Sequence, residues 1–235
     1  REIFKRIIMK VFNWKGYEWI DREPWGRMHP DKPWMYYSPK EVKIDDKGFL
    51  ELSARRSTYH KCVMDIGLIS SVKDFHFGTF SVVCKFSTLP YAWDAFWMWG
   101  GNWPPEIDVF EGYANKNGDY FKFRFNRPFG FWNVQSNMHY GNHVFNNNDS
   151  IKSKTHWFGL KNPAKNFLEY KVEWTPHHVK WWYNGKLVRK TTKNVPQIPQ
   201  RVILNTGSYT PDALQQDINQ SNSFIIKDFK YEPLK

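Results

Sequence analysis

The chain has 235 residues, a length that suits one all-β domain spanning 1–235 and that can bury a sizeable core. No apolar run approaches the roughly 20 residues a spanning helix needs, and the mean hydropathy of −0.68 is that of a water-facing globule, so no membrane association is expected. The formal net charge is +11, which favours an acidic partner, but the basic residues are scattered and never run to five in a row, so no nucleic-acid tail is expected.

Residues 1–10 lack the apolar stretch and cleavage site of a signal peptide. From there the sequence alternates in short stretches. Phe49–Ala54 reads as a strand after the Asp46-Lys47-Gly48 turn, and Gly78–Lys85 is rich in β-branched residues and Phe. Ala95–Trp99 is apolar and aromatic and ends at Gly100-Gly101. Asn142–Lys165 is polar and reads as a long surface loop. Tyr170–Trp174 and His178–Tyr183 flank a turn at Pro176. Asn184-Gly185 then carries the strongest hairpin signal, because both residues tolerate the positive φ of a type I′ turn. Val202–Asn205 and Phe224–Tyr231 complete the strands, with one short helical turn expected at Pro211–Ile218. Many short strands without a sustained 3.6-residue period predict an all-β sandwich of two antiparallel sheets. Cys62 and Cys84 would lie opposite each other if a hairpin turned near Val72–Asp74; a disulfide and two buried thiols both fit. Asn148-Asp149-Ser150 and Asn219-Gln220-Ser221 are formal glycosylation sequons.

The decisive segment is Glu106-Ile107-Asp108-Val109-Phe110-Glu111, entered through Trp103-Pro104-Pro105. On a strand, Glu106 and Asp108 share a face, whereas Glu111 falls on the other. A single β-bulge restores the phase, gathers all three carboxylates and leaves Ile107 and Val109 pointing into the core. Three acids so close cannot all ionise comfortably, a cost that function explains better than stability does. Cleavage of a glycosidic bond needs such a set: one carboxylate as nucleophile and one carboxylic acid for the leaving oxygen. The aromatic share of 19%, with 13 Trp and 12 Tyr, adds flat surfaces on which sugars stack.

This segment resembles the signature E-[ILV]-D-x-x-E of glycoside hydrolase family 16, the laminarinases, lichenases, agarases and carrageenases. Weaker resemblances extend along most of the chain: Tyr37-Ser38-Pro39 to Gly48-Phe49-Leu50, Phe77–Phe80, Ala95–Met98, Met138-His139-Tyr140-Gly141, Tyr170–Pro176 and Asp228–Tyr231. Val83 and Pro105 stand where the family commonly has Arg and a small residue. The resemblance implies a concanavalin A-like β-jelly roll with a concave substrate cleft. It implies an endo-acting, retaining hydrolase with Glu106 as nucleophile, Glu111 as general acid and then base, and Asp108 tuning both. No cofactor or metal is needed for that chemistry; a structural calcium is common among similar proteins, its ligands here unplaced.

For substrate contact the expected residues are Trp103 as a sugar platform, His139 as a cleft hydrogen-bonding group and Asn205 reaching in from an inner strand. Trp97 and Trp99 share one side of their strand, and of Trp181 and Trp182 one faces in and one out. The expected partner is a polysaccharide with internal β-1,3 or β-1,4 linkages, either a β-glucan or a red-algal galactan such as agar, porphyran or carrageenan. The charge leans toward the sulfated kind. The enzyme is expected to be monomeric and extracellular, periplasmic or on the cell surface. A lectin on the same sandwich and a transglycosylase are the alternatives; a lectin has no reason to cluster three acids.

Overall fold

The computed structural model describes residues 11–23, 25–58, 63–101, 103–122, 131–140, 151–158, 161–216 and 223–235. In chain order the strands are β1 (Val11–Trp14), β2 (Tyr17–Ile20), β3 (Met28–His29), β4 (Lys32–Tyr37), β5 (Val42–Ile44), β6 (Leu50–Leu52), β7 (Ala54–Arg56), β8 (Met64–Ile66), β9 (Leu68–Phe75) and β10 (Gly78–Lys85). They continue with β11 (Trp93–Trp99), β12 (Glu106–Tyr113), β13 (Phe121–Lys122), β14 (Phe131–His139), β15 (Ile151–Phe158), β16 (Leu168–Trp174), β17 (Val179–Tyr183), β18 (Lys186–Thr191), β19 (Gln200–Asn205) and β20 (Phe224–Pro233).

Strict alternation builds the two large sheets. Along β10 every second side chain from Gly78 to Cys84 is buried, and β16 repeats the pattern from Leu168 to Trp174. These strands belong to a seven-stranded sheet ordered β18-β17-β16-β10-β20-β6-β5. The facing sheet is nine-stranded, β1-β2-β9-β19-β11-β12-β14-β13, with β15 also on β14. Their inner faces meet in one apolar core that includes Phe80, Phe96, Phe110, Tyr170, Trp181 and Phe224. Antiparallel sheets packed face to face bury alternate residues of both partners, and burial at roughly 25 cal/mol per Å² of apolar surface is what holds them.

A third, four-stranded sheet, β3-β4-β8-β7, was not anticipated. Its β4–β8 pair is parallel. The expected strand Phe49–Ala54 divides at Ser53, so β6 stays in the seven-stranded sheet while β7 joins this smaller one. The small sheet rests closely on the end of β19. A Cβ at Gly207, where φ is +154°, would lie 2.8 Å from Met35 Sδ. Trp34 Nε1 also donates to Ser208 O at 3.1 Å.

Other expectations met different fates. Asn184 and Gly185 have φ of 47° and 81° and join β17 to β18 as the dipeptide demands. The helical turn is a 3-10 helix, Pro211–Gln215, capped by Thr210, whose side chain accepts from Asp212 N. No hairpin turns near Val72–Asp74: β9 runs straight through to Phe75, and β10 then enters the other sheet. Cys84 is a buried free thiol, and Cys62 lies outside the described residues. The expected loop Asn142–Lys165 contains strand β15, paired to β14 from Trp132↔Phe158 to His139↔Ile151. Its Lys-Ser-Lys-Thr centre hid β-favourable Ile, Thr, Trp and Phe behind a polar average. Both glycosylation sequons include residues outside the described ones.

Candidate active site

The site is built on β12, and its geometry follows from one irregular residue. Asp108 pairs with Trp97 of β11, but Phe110 pairs with Phe96, so Val109 is skipped. On the other side Asp108 faces Asn137 and Glu111 faces Gln135, so Val109 and Phe110 together oppose Ser136. This is the expected bulge. Ile107, Val109 and Phe110 are fully buried, while Glu106, Asp108 and Glu111 all line one cleft.

A bulge breaks the strand ladder and strands its carbonyls. Here they are met from the opposite sheet, through the core. Trp181 Nε1 donates to Asp108 O at 3.0 Å, and Tyr183 OH donates to Val109 O at 2.6 Å and to Gln135 O at 3.2 Å. The Arg189 guanidinium donates to Ser136 O at 2.8 Å and lies 4.5 Å from the Trp181 ring. Trp181 is therefore the inward member of its pair, fully buried, and Trp182 the half-buried outward one.

The cleft has a volume of about 450 Å³. Its floor is the outer face of β11, β12 and β14: Trp93, Ala95, Trp97 and Trp99 run along one strand beside the three carboxylates and His139. The β3–β4 hairpin and the segment before it supply Trp25, His29, Asp31 and Lys32. Trp25 and Trp99 meet edge to face at 5.0 Å, and Trp103 stands 41% exposed at 5.5 Å from the His139 ring. Trp103 is thus a free aromatic surface rather than a buried cap.

Each carboxyl has its own surroundings. Glu111 is buried, and its Oε1 accepts from Trp93 Nε1 at 2.9 Å and Tyr113 OH at 2.6 Å, while Asn137 Nδ2 donates to Oε2. Burial and the Asp108 charge push its pKa up to about 7 against these three donors. Glu106 is hydrogen-bonded to Asp108 and also pushed well above its ordinary range, by burial first and then by the Asp108 charge. His139 Nε2 lies 3.1 Å from Asp108 Oδ2 and 3.5 Å from Glu106 Oε1. Burial works against its charged form, but the hydrogen bond and the negative charges of Asp108 and Glu111 prevail and raise its pKa. Burial and neighbouring charge thus favour the protonated forms of Glu106 and Glu111, and the nearby carboxylates favour that of His139.

Asn205 does not line the cleft. It is buried behind Trp97, accepting from Trp97 Nε1 at 2.8 Å and donating to Trp93 O at 3.3 Å, so it fixes two aromatic residues of the floor. Sequence reading also passed over Trp93, Tyr113 and Asn137, which hold Glu111. Alternation carried a signal for all three, since they lie four residues before Trp97, two after Glu111 and two before His139. Lys32 and His29 had no such signal, because only the third sheet brings them here.

Among the described residues, the acidic group that offers three metal-ligand atoms is Glu106, Asp108 and His139, within 4.8 Å of one another. It does not fit a structural calcium. Calcium takes six to eight oxygens, and this group offers two carboxylates and an imidazole already bonded to each other.

Residues 31–221 match the model of glycosyl hydrolases family 16. A β-glucanase of Brevibacillus brevis is 25% identical over 174 residues, covering 71% of this chain and 58% of that protein. The chain therefore spans less than two thirds of that relative. The fold is shared with a Bacillus licheniformis β-glucanase (TM-score 0.67, 19% identity, 96% of this chain and 98% of that one). It is shared as well with the catalytic domain of an endo-1,3-β-glucanase, a laminarinase, from Thermotoga petrophila (TM-score 0.67, 19% identity, 86% and 84%). With the bulged carboxylate strand in place and the family model covering most of its length, the chain belongs to glycosyl hydrolases family 16.

Proposed function

We propose that the chain is a single catalytic domain that hydrolyses internal β-1,3 or mixed β-1,3/1,4 linkages of a β-glucan with retention of configuration. The observation that carries this reading is the carboxyl pair of unequal surroundings on one strand. Glu111 holds a proton up to about pH 7 in a cage of three donors, and Glu106, hydrogen-bonded to Asp108, lies 3.5 Å from His139 Nε2.

The chemistry follows from that division. Glu111 gives its proton to the glycosidic oxygen as the bond to the anomeric carbon breaks. Glu106, in its ionised form and 3.5 Å from His139 Nε2, attacks that carbon and forms a glycosyl-enzyme. Glu111, now ionised and stabilised by Trp93, Tyr113 and Asn137, takes a proton from water, which displaces Glu106. No cofactor enters any step. Trp103, Trp99 and Trp25 offer faces and edges on which sugar rings pack. A polymer cannot cross a membrane, so the domain acts extracellularly, in the periplasm or at the cell surface, and it does so as a monomer.

The test is reducing-end release from laminarin, barley β-glucan, agarose, porphyran and κ-carrageenan, wild type beside Glu106→Gln. Short oligosaccharides from the first two, by wild type alone, are expected. Release only from the galactans overturns the β-glucan assignment. Equal binding of a polymer by both proteins without any release leaves a lectin.

A further inference from the structure

Lys32 lies at the tip of the β3–β4 hairpin, half-buried, with its Nζ 4.3 Å from the centre of the Trp93 ring. The edge of that same ring carries the Nε1–H that donates to Glu111 Oε1 at 2.9 Å. Among the described residues no carboxylate comes within ion-pair distance of Lys32. A withdrawn ammonium without a counter-ion is costly: burial lowers its pKa, and the charges of Asp31, Glu111 and Glu106 only partly restore it. The hairpin is nevertheless anchored to hold it there. Arg27 bonds Asp21 and Tyr37 O, Trp34 bonds Ser208 O, and Gly207 lets the small sheet approach.

We propose that Lys32 is a positioning residue that acts on Glu111 through Trp93. Its ammonium sits on the negative face of the indole and fixes the ring so that Nε1–H points at Oε1. It also draws electron density from the ring, which makes that N–H a stronger donor. Both effects favour the ionised form of Glu111. Among the described residues, Asp31 lies beside Lys32 on the same wall of the cleft and favours its charged form. Asp108 and Glu106 on β12 oppose ionisation of Glu111, and Tyr113, Asn137 and Trp93 donate to it. His139 on β14 is bonded to Asp108, and Tyr183 and Arg189 reach from the opposite sheet toward the backbone behind it. His29 adds no cation at neutral pH, because burial and then Lys32 itself hold its pKa at about 4.

The kinetic consequence rests on Glu111 being the acid and base of hydrolysis, but the electrostatic claim does not. It is tested in substrate-free protein by ¹³C NMR titration of glutamate carboxyls, with Glu111→Gln identifying the signal. Lys32→Met is expected to raise the Glu111 pKa by about 0.5–1 unit, and Lys32→Arg to leave it near the wild-type value. In a Trp93→Phe background, which keeps the ring and removes the N–H, the Lys32→Met shift should fall to less than half. The alkaline limb of kcat/KM on the substrate found above should move upward with the titration. An unmoved Glu111 in Lys32→Met, or the full shift persisting without the Trp93 N–H, overturns the proposal. Lys32→Gln gives the same reading if the Met variant fails to fold. Should wild type release sugar from no polymer, the hydrolase reading fails while the titration still decides the role of Lys32.

Discussion

Glu111 occupies an unusual position for a carboxyl: buried, beside another acid, yet caged by three donors. Burial and the Asp108 charge outweigh the donors, leaving its value at about 7. With Glu111 as the proposed acid, activity should fall as pH rises through about 7, because the proton for the leaving oxygen is lost. A pH profile of kcat/KM checks this, and a flat profile to pH 9 contradicts it. Glu106→Gln should lower kcat by at least about a thousandfold, since the neutral amide cannot form the glycosyl-enzyme. Trp103 differs in kind. It is 41% exposed and packs on the His139 ring, so as a sugar platform Trp103→Ala should raise KM about tenfold or less with kcat little changed, read by steady-state kinetics on one polymer.

At the scale of the element, β12 owes its carboxylate face to a defect. Regular alternation would send Glu111 into the apolar core and Phe110 into the cleft. The bulge at Val109 reverses both, and the carbonyls it strands are bonded by Trp181 and Tyr183 from a strand of the opposite sheet. Tyr183→Phe removes one hydroxyl that serves Val109 O and Gln135 O. Leaving such buried acceptors unpaired costs about 1–3 kcal/mol, measurable as a lower urea midpoint. Because those acceptors flank the bulge, kcat should fall in the folded variant as well. An unchanged midpoint and kcat would mean that the bulge holds itself.

Across the whole molecule, three sheets divide the work. Two supply most of the core, and the third adds Met35, Tyr37, Met64 and Ile66 to it and carries a hairpin that lines the cleft. Near their junction lies Glu23, 1% exposed, its carboxyl without a hydrogen-bond partner among the described residues. Burial raises its pKa from 4.5 to about 8, only partly opposed by the Arg201 charge. A carboxyl that holds its proton more tightly when folded contributes stability that is complete below about 4.5 and lost as pH rises through about 8. The melting temperature should accordingly decline between about pH 4.5 and 8 and level off above, and Glu23→Gln should lessen that decline. Parallel curves for the two proteins would sink this account.

What the sequence determined by itself is whatever depends on neighbours along the chain. Alternation over Gly78–Lys85 and Leu168–Trp174, the turn at Asn184-Gly185, and the need for a bulge between Asp108 and Glu111 all rest on local geometry, and each was legible before the fold. The tertiary structure decided what depends on residues far apart. Asn205 looked like a cleft residue because its strand is internal, but the width of Trp97 places it behind the floor. Strand β15 was hidden because lysines dominate its centre, and only its pairing with β14 identifies it. Lys32 and Glu111 are 79 positions apart, and no periodicity links them; a hairpin from the third sheet and one indole ring do so, because a cation, an aromatic face and a carboxylate attract one another wherever the fold lets them meet.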